Sequence, residues 1–241
     1  MKGQCKRNFS DYITPDQALE DGDIDIAVYQ HQPFLDNFNK QKGAHLVSIG
    51  KAILMRMGIY SNKYKSVDEI PDGTVIAIPN DPTNGGRGLL LLQEAGLIKL
   101  KDGVGSKATV TDVTENPKHL QFQELDAAQL PRSLDDVGAA VITMNYVMSA
   151  GLDPKKQGIF LEPKDAPLAV MIIASREKDK DNPAYKTLSK LISLMLSVNS
   201  LPTNTRELLN RHSDRFRRRE TGNNLSLFYF AIFHGKAYDG K

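Results

Sequence analysis

Two stretches of this chain carry residue types that could do chemistry. In the first, Asn80-Asp81-Pro82-Thr83-Asn84-Gly85-Gly86-Arg87, a polar, glycine-bearing run joins an apolar strand pattern (Thr74 to Pro79) to an apolar helical one (Leu89 to Ala95). Such a junction aims backbone N–H groups and a guanidinium at one small volume, which is how proteins hold a carboxylate or phosphate. Arg87 falls in the first turn of the expected helix, a poor place for a cation because a helix N-terminus already carries partial positive charge. An anion held nearby would offset the mismatch; the plainer reading is a solvent-exposed guanidinium. In the second stretch, Tyr29-Gln30-His31-Gln32-Pro33-Phe34 places three rings within six residues at the end of a predicted strand, and Tyr12 could join them. Rings gathered this way suit an apolar, polarisable group such as a thioether. The plainer reading makes Tyr29 and Phe34 core residues and His31 a satisfied turn histidine, and pattern alone favours it.

Other chemistry is hard to find. His31, His45, His119, His212 and His234 show no H-E-x-x-H spacing, no G-x-S-x-G elbow occurs, and Gly85-Gly86 is not followed by the Lys-Ser/Thr of a phosphate loop. Asp135-Asp136 reads as a solvated helix face. A nucleophile, a metal site and a cofactor are therefore not expected. Cys5 is the single cysteine, which excludes an intramolecular disulfide and a cysteine-cluster metal centre.

The elements that position these groups alternate along the chain. Thr14-Pro15-Asp16-Gln17 reads as a capping box opening a short helix that Gly22 stops. Ile24, Ile26 and Val28 then recur in strand period, and Pro33 opens a second helix ending by Gly43. Leu46 to Ile49 and Ala52 to Tyr60 read as extended, and Ser66-Val67-Asp68-Glu69 as a further capping box. The helix beginning near Asn84 should stop at Gly96, and a helix over Ala127 to Val137 should lead into a strand, Ala139 to Met144. Asn145 follows that strand at its C-terminal end, where open α/β sheets place ligand groups. Leu168 to Ala174 is another apolar strand, and Asn182-Pro183 opens a helix with Leu188, Leu191, Ile192 and Met195 at helical spacing. The pattern is that of an α/β protein with mixed, largely parallel sheets.

Composition agrees with a folded chain of one or two domains: 241 residues, 40% hydrophobic and 25% charged. Residues 1–200 carry 23 Lys+Arg against 25 Asp+Glu, so the body gives no electrostatic reason to expect nucleic acid. Residues 201–241 carry 8 against 4, with the run Arg215-Phe216-Arg217-Arg218-Arg219 and an apolar stretch, Leu225 to Phe233. That segment is expected to be a tail outside the fold. The start, Met1 to Arg7, has positive charge without the apolar stretch of an export signal, so the sequence as written is expected to lack one.

Taken together, Ser10-Asp11-Tyr12, Gly22-Asp23-Ile24-Asp25, Gln30 to Phe38, Ile78 to Arg87, Ala128 to Ser133 and Asn145-Tyr146 closely resemble the methionine-binding lipoprotein family. This NlpA lipoprotein family supplies the substrate-binding components of bacterial methionine ABC importers, and the resemblance covers roughly residues 8–192. It implies a type II periplasmic-binding-protein-like fold: two α/β lobes with hinge strands, and an amino acid in the cleft. Lobe one would comprise residues 1–55 and 168–200, lobe two residues 56–167, with 201–241 outside the family pattern. It further implies that Tyr12, Tyr29, His31 and Phe34 surround the ligand side chain, that Arg87 pairs with its carboxylate, and that Asn145 contacts its head group. The implied role is non-catalytic: methionine, or a related amino acid or methionyl peptide, is delivered to a membrane permease and its ATPase at the cell envelope.

Three departures from the family pattern are expected to matter. The family's lipidated cysteine and first strand and helix have no counterpart, Cys5 lacking a lipobox; this should leave a sheet edge open. Met171 stands where the family carries a ligand-contacting asparagine, a loss of about 1–3 kcal/mol if the ligand group stays unpaired. After about Ile192 the family's closing helix and strand give way to the arginine-rich tail, as a shifted reading frame would produce. Two other readings accompany this one: an enzyme gripping a phosphorylated substrate at the Asn80–Arg87 loop, and a truncated remnant without affinity.

Overall fold

The computed structural model describes residues 9–190 with their side chains and residues 4–6 and 231–234 as backbone. The chain forms two units, Met1–Ile53 with Met171–Lys241, and Leu54–Val170. It passes between them after Ile53 and Val170.

The first unit begins with strand β1 (Gln4–Lys6) and helix α1 (Thr14–Asp21). The expected Thr14–Gln17 capping box does not form. Asp11 instead accepts from the backbone N of Ile13 (2.8 Å) and Thr14 (2.7 Å) and from the Thr14 hydroxyl (2.7 Å). An ionised carboxylate is a stronger cap than a hydroxyl at a positive helix end, and Gln17 turns forward to Asp21. Partial burial works against the Asp11 charge, but the bonds from Thr14 and Ile13 outweigh it and hold the carboxyl below its ordinary range. Gly22, at φ 84°, closes α1 in the left-handed conformation, as its sequence position implies. Strand β2 (Ile26–Val28), helix α2 (Gln32–Lys42) and strand β3 (Leu46–Leu54) follow.

In the second unit come β4 (Met57–Tyr60), β5 (Val75–Pro79), α3 (Pro82–Glu94), β6 (Lys99–Leu100), β7 (Val113–Glu115) and β8 (Gln121–Leu125). They are followed by α4 (Leu130–Ser133), β9 (Ala139–Thr143), α5 (Met144–Ser149), α6 (Pro154–Gln157) and β10 (Gly158–Leu161). The main sheet runs β10-β4-β9-β5-β8, and β6 pairs with β7. There β5 runs parallel to both β8 and β9, while β4 is antiparallel to both β9 and β10. The sheets are mixed, as expected, but not largely parallel: β10, β4 and β9 pair antiparallel in this sheet, and in that of the first unit so do β1, Ala231–His234, β2 and Val170–Arg176. Leu89 and Leu92 of α3 pack on Ile76, Ile78 and Val141 of the sheet. The helix expected over 127–137 shrinks to the single turn of α4. Pro131 restricts the residue before it, and Asp126 ties up the N–H of Ala128. The Ser66–Glu69 motif makes a 3-10 turn in which Glu69 accepts from Lys65 N, one residue earlier than a capping box requires.

Returning to the first unit, β11 (Val170–Arg176) leads to helical residues 183–190. Leu191, Ile192, Met195 and the arginine run at 215–219 lie outside the described residues. The sheet order is β1-β12-β2-β11-β3, where β12 is Ala231–His234. This corrects the expectation that the tail lies outside the fold: its residues Ala231, Ile232 and Phe233 pair antiparallel with Val28, Ala27 and Ile26 along β2. Four residues are too few for strand periodicity to show in sequence. Successive residues of β2 and β11 alternate between the two faces of this sheet. Ala27, Ile172 and Ala174 pack with Leu19, Leu35 and Phe38 on one, while Ile26, Val28 and Ile173 pack with Tyr185 on the other. Arg176 pins the face bearing α1, donating to the carbonyls of Leu19 (2.8 Å) and Ile24 (2.6 Å) and pairing with Asp25 and Asp179.

Candidate functional site

In the first unit, the turn before α1, the end of β2 and the first turn of α2 bring the expected rings together. Tyr12 and Tyr29 stack at 6.1 Å between centroids and 28° between planes. Phe34 stands edge-on to Tyr12 (5.8 Å), Tyr29 (6.3 Å) and His31 (6.3 Å). The Tyr29 hydroxyl donates to the Tyr12 carbonyl (2.7 Å), which holds the two aromatic segments in register. His31 is the N-cap of α2, its Nδ1 accepting from Phe34 N (3.2 Å). The plainer reading thus describes the packing correctly: Tyr29, His31 and Phe34 are buried and His31 is a cap, while Tyr12 is half-buried.

Sequence reasoning missed Asp16 and Gln30 beside this cluster. Asp16 is fully buried, and among the described residues neither its carboxylate oxygens nor the amide atoms of Gln30 have a hydrogen-bond partner. Burial pushes the Asp16 carboxyl up to about 7, against the pull of the adjacent Gln30 and Tyr29 side chains. Burial, and then the charge of Asp16, lift the Tyr29 hydroxyl well above the ordinary tyrosine range. Helical phase was the available signal: Asp16 lies three residues before Leu19 and so shares its inward face.

In the second unit, the Asn80–Arg87 segment proves to be mostly helix. Asp81 is the N-cap of α3, accepting from Asn84 N (2.9 Å), Asn84 Nδ2 and the Thr83 hydroxyl, while Gly85 N bonds to Asp81 O (2.7 Å). These first-turn donors are used within the helix rather than aimed at a ligand. The glycines serve packing: a Cβ on Gly86 would sit 2.2 Å from Ser106 O, and one on Gly85 2.9 Å from Pro79 O. The loop therefore loses its resemblance to a phosphate cradle, and with it the support for a phosphate-gripping enzyme.

Arg87, in the second turn of α3, is 2% exposed. The anion beside it is Glu162, just past β10, which no local pattern linked to it. Arg87 Nε donates to Glu162 Oε1 (2.7 Å) and Nη2 to Oε2 (2.5 Å), a two-pronged fork, and Nη2 also donates to Met55 O (2.8 Å). Glu162 is itself held by Met57 N (2.6 Å) and, at its carbonyl, by Arg56 Nε. Among the described residues Nη1 makes no hydrogen bond, so the fork fixes the guanidinium plane and leaves that nitrogen's donors uncommitted. Asn145 is buried in the first turn of α5, directly after β9. Met171 is buried in β11.

Among the described residues, no group of three or more His, Cys, Asp or Glu is placed to hold a metal ion, and no helix is long and apolar enough to cross a membrane.

The family model for NlpA lipoprotein matches residues 6–195. The chain belongs to the NlpA lipoprotein family. It is 54% identical over 175 residues to the D-methionine-binding lipoprotein MetQ of Salmonella typhimurium, an alignment covering 72% of this chain and 64% of that protein. It is 47% identical over 182 residues to outer membrane lipoprotein 3 of Mannheimia haemolytica, covering 76% and 69%. The chain thus spans 64% of the length of the MetQ relatives from Salmonella and Escherichia coli. Among solved structures it is similar to a nutrient-binding protein of Burkholderia cenocepacia bound to methionine, with TM-score 0.73 and 42% identity, covering 93% of this chain and 85% of that one. An ABC transporter periplasmic substrate-binding protein of Coxiella burnetii matches with TM-score 0.74 and 43% identity, covering 78% of each. The α/β architecture is that of these binding proteins.

Proposed function

We propose that this chain is a non-catalytic substrate-binding protein that holds methionine, or a related amino acid or methionyl peptide, for a membrane permease and ATPase of an ABC importer at the cell envelope. The observation that carries the reading is Arg87: a buried guanidinium oriented by Glu162 with the donors of Nη1 uncommitted suits a ligand carboxylate. The ring cluster of Tyr12, Tyr29, His31 and Phe34 suits a thioether, and Asn145 a head-group donor or acceptor. Relatives named for D-methionine binding and a similar structure bound to methionine support the same ligand class. Calorimetric titration of the folded chain with L-methionine, D-methionine and short methionyl peptides tests it. Saturable heat from at least one is expected, lost in Arg87→Met; no heat from any of them removes methionine as the ligand.

A further inference from the structure

Asp16 has no part in the recognition chemistry above, yet it sits against the residues that provide it. It lies on the inward face of α1, fully buried, beside Gln30, and among the described residues neither its carboxylate oxygens nor the Gln30 amide atoms have a partner. An ionised carboxylate in such a place is strongly disfavoured, whereas a neutral carboxyl and an amide are complementary, each with one donor and one acceptor face. The Tyr29 side chain lies beside it, and its hydroxyl donates to the Tyr12 carbonyl at 2.7 Å. A carboxylate is a better acceptor than a carbonyl, so loss of the Asp16 proton creates a competitor for the hydroxyl that ties Tyr12 to Tyr29.

We propose that Asp16 is a positioning residue for the ring cluster: its proton keeps the Tyr29 hydroxyl on the Tyr12 carbonyl, and its ionisation draws the hydroxyl away and loosens Tyr12. Several described groups bear on it or on Tyr29. Gln30 and Tyr29 face it from the end of β2 and favour the charged form, as does the partial positive charge at the start of α1. Asp11, in the turn before α1, acts instead on Tyr29, whose hydroxyl its charge helps to lift. His31 belongs to the same cluster but spends Nδ1 on capping α2. With the carboxyl lifted to about 7, the exchange falls in the neutral range. On the ligand reading proposed above, affinity declines as pH rises through that range.

The chain contains no tryptophan and eight tyrosines, so ring-labelled tyrosine NMR reads the cluster directly. In the ligand-free chain, the Tyr12 and Tyr29 signals, assigned through Tyr12→Phe and Tyr29→Phe, are expected to titrate with a midpoint near 7. The titration should vanish in Asp16→Asn, which keeps His31, and the Tyr12 signal should stop titrating in Tyr29→Phe, which keeps Asp16. Flat signals in the parent chain, or the same titration in either variant, overturn the proposal. Calorimetry with L-methionine should show affinity about fivefold weaker at the alkaline end than the acid end, the low end of typical site coupling, and no such change in Asp16→Asn. A pH-independent affinity overturns the link to binding. No heat at any pH alongside an intact tyrosine titration overturns the methionine reading and supports the role of Asp16 in the cluster.

Discussion

The Arg87–Glu162 fork makes the sharpest prediction, because its two partners serve different ends. Glu162→Gln leaves one oxygen to serve three donors: Arg87 Nε, Arg87 Nη2 and Met57 N. Turning the amide nitrogen toward Met57 and Nη2 orphans two of them, and turning it toward Nε orphans one and sets two donors face to face. Either way a guanidinium 2% exposed loses its neutralising charge. Breaking one side of a buried pair costs about 3–5 kcal/mol, because the remaining charge stays desolvated. At about 2–4 °C per kcal/mol for a chain of this size, the melting midpoint should fall by about 6–20 °C. Urea denaturation followed by circular dichroism measures the loss. The double variant Arg87→Met with Glu162→Leu removes both charges at similar volume and should be more stable than Glu162→Gln alone, yet unable to bind a carboxylate ligand. If Glu162→Gln costs less than about 1 kcal/mol, the value of an exposed pair, the fork does not hold Arg87 and the reasoning fails.

Two further predictions rest on particular atoms. Gly86→Ala places a methyl group 2.2 Å from the Ser106 carbonyl oxygen, a backbone atom that cannot swing aside, and should destabilise by about 1–3 kcal/mol or more in the same denaturation assay. Asp16 has a folded-state pKa raised from 3.8 to about 7, so its contribution to stability is complete below the unfolded value and lost as pH rises through the folded one. Over that window the parent chain should lose up to about 4 kcal/mol relative to Asp16→Asn, seen as a stability difference that grows from acid to neutral pH.

Several elements around the candidate site were legible from short-range pattern, and the limits of that reading are equally physical. The strand period of Ile24, Ile26 and Val28, the helix opened by Pro33 and stopped by Gly43, and the six-residue spacing of Tyr29, His31 and Phe34 express local sterics and alternation, which a sequence carries directly. The glycines at 85 and 86 were visible, but their purpose was misread: a sequence shows that a Cβ is absent without showing which backbone comes close. Capping at α1 failed for a similar reason, since several polar side chains competed for the same N–H groups and Asp11 prevailed.

By itself, then, the sequence determined the alternation of elements, the family, and the placing of rings and guanidinium on particular turns. The tertiary structure decided which anion meets Arg87, since Glu162 lies 75 residues further along the chain and is brought to it by β10 pairing with β4. It likewise decided that Asp16 loses its solvent and that Ala231–His234 pairs along β2. Desolvation and ion pairing depend on what surrounds a group in space, and only the folded chain sets that environment.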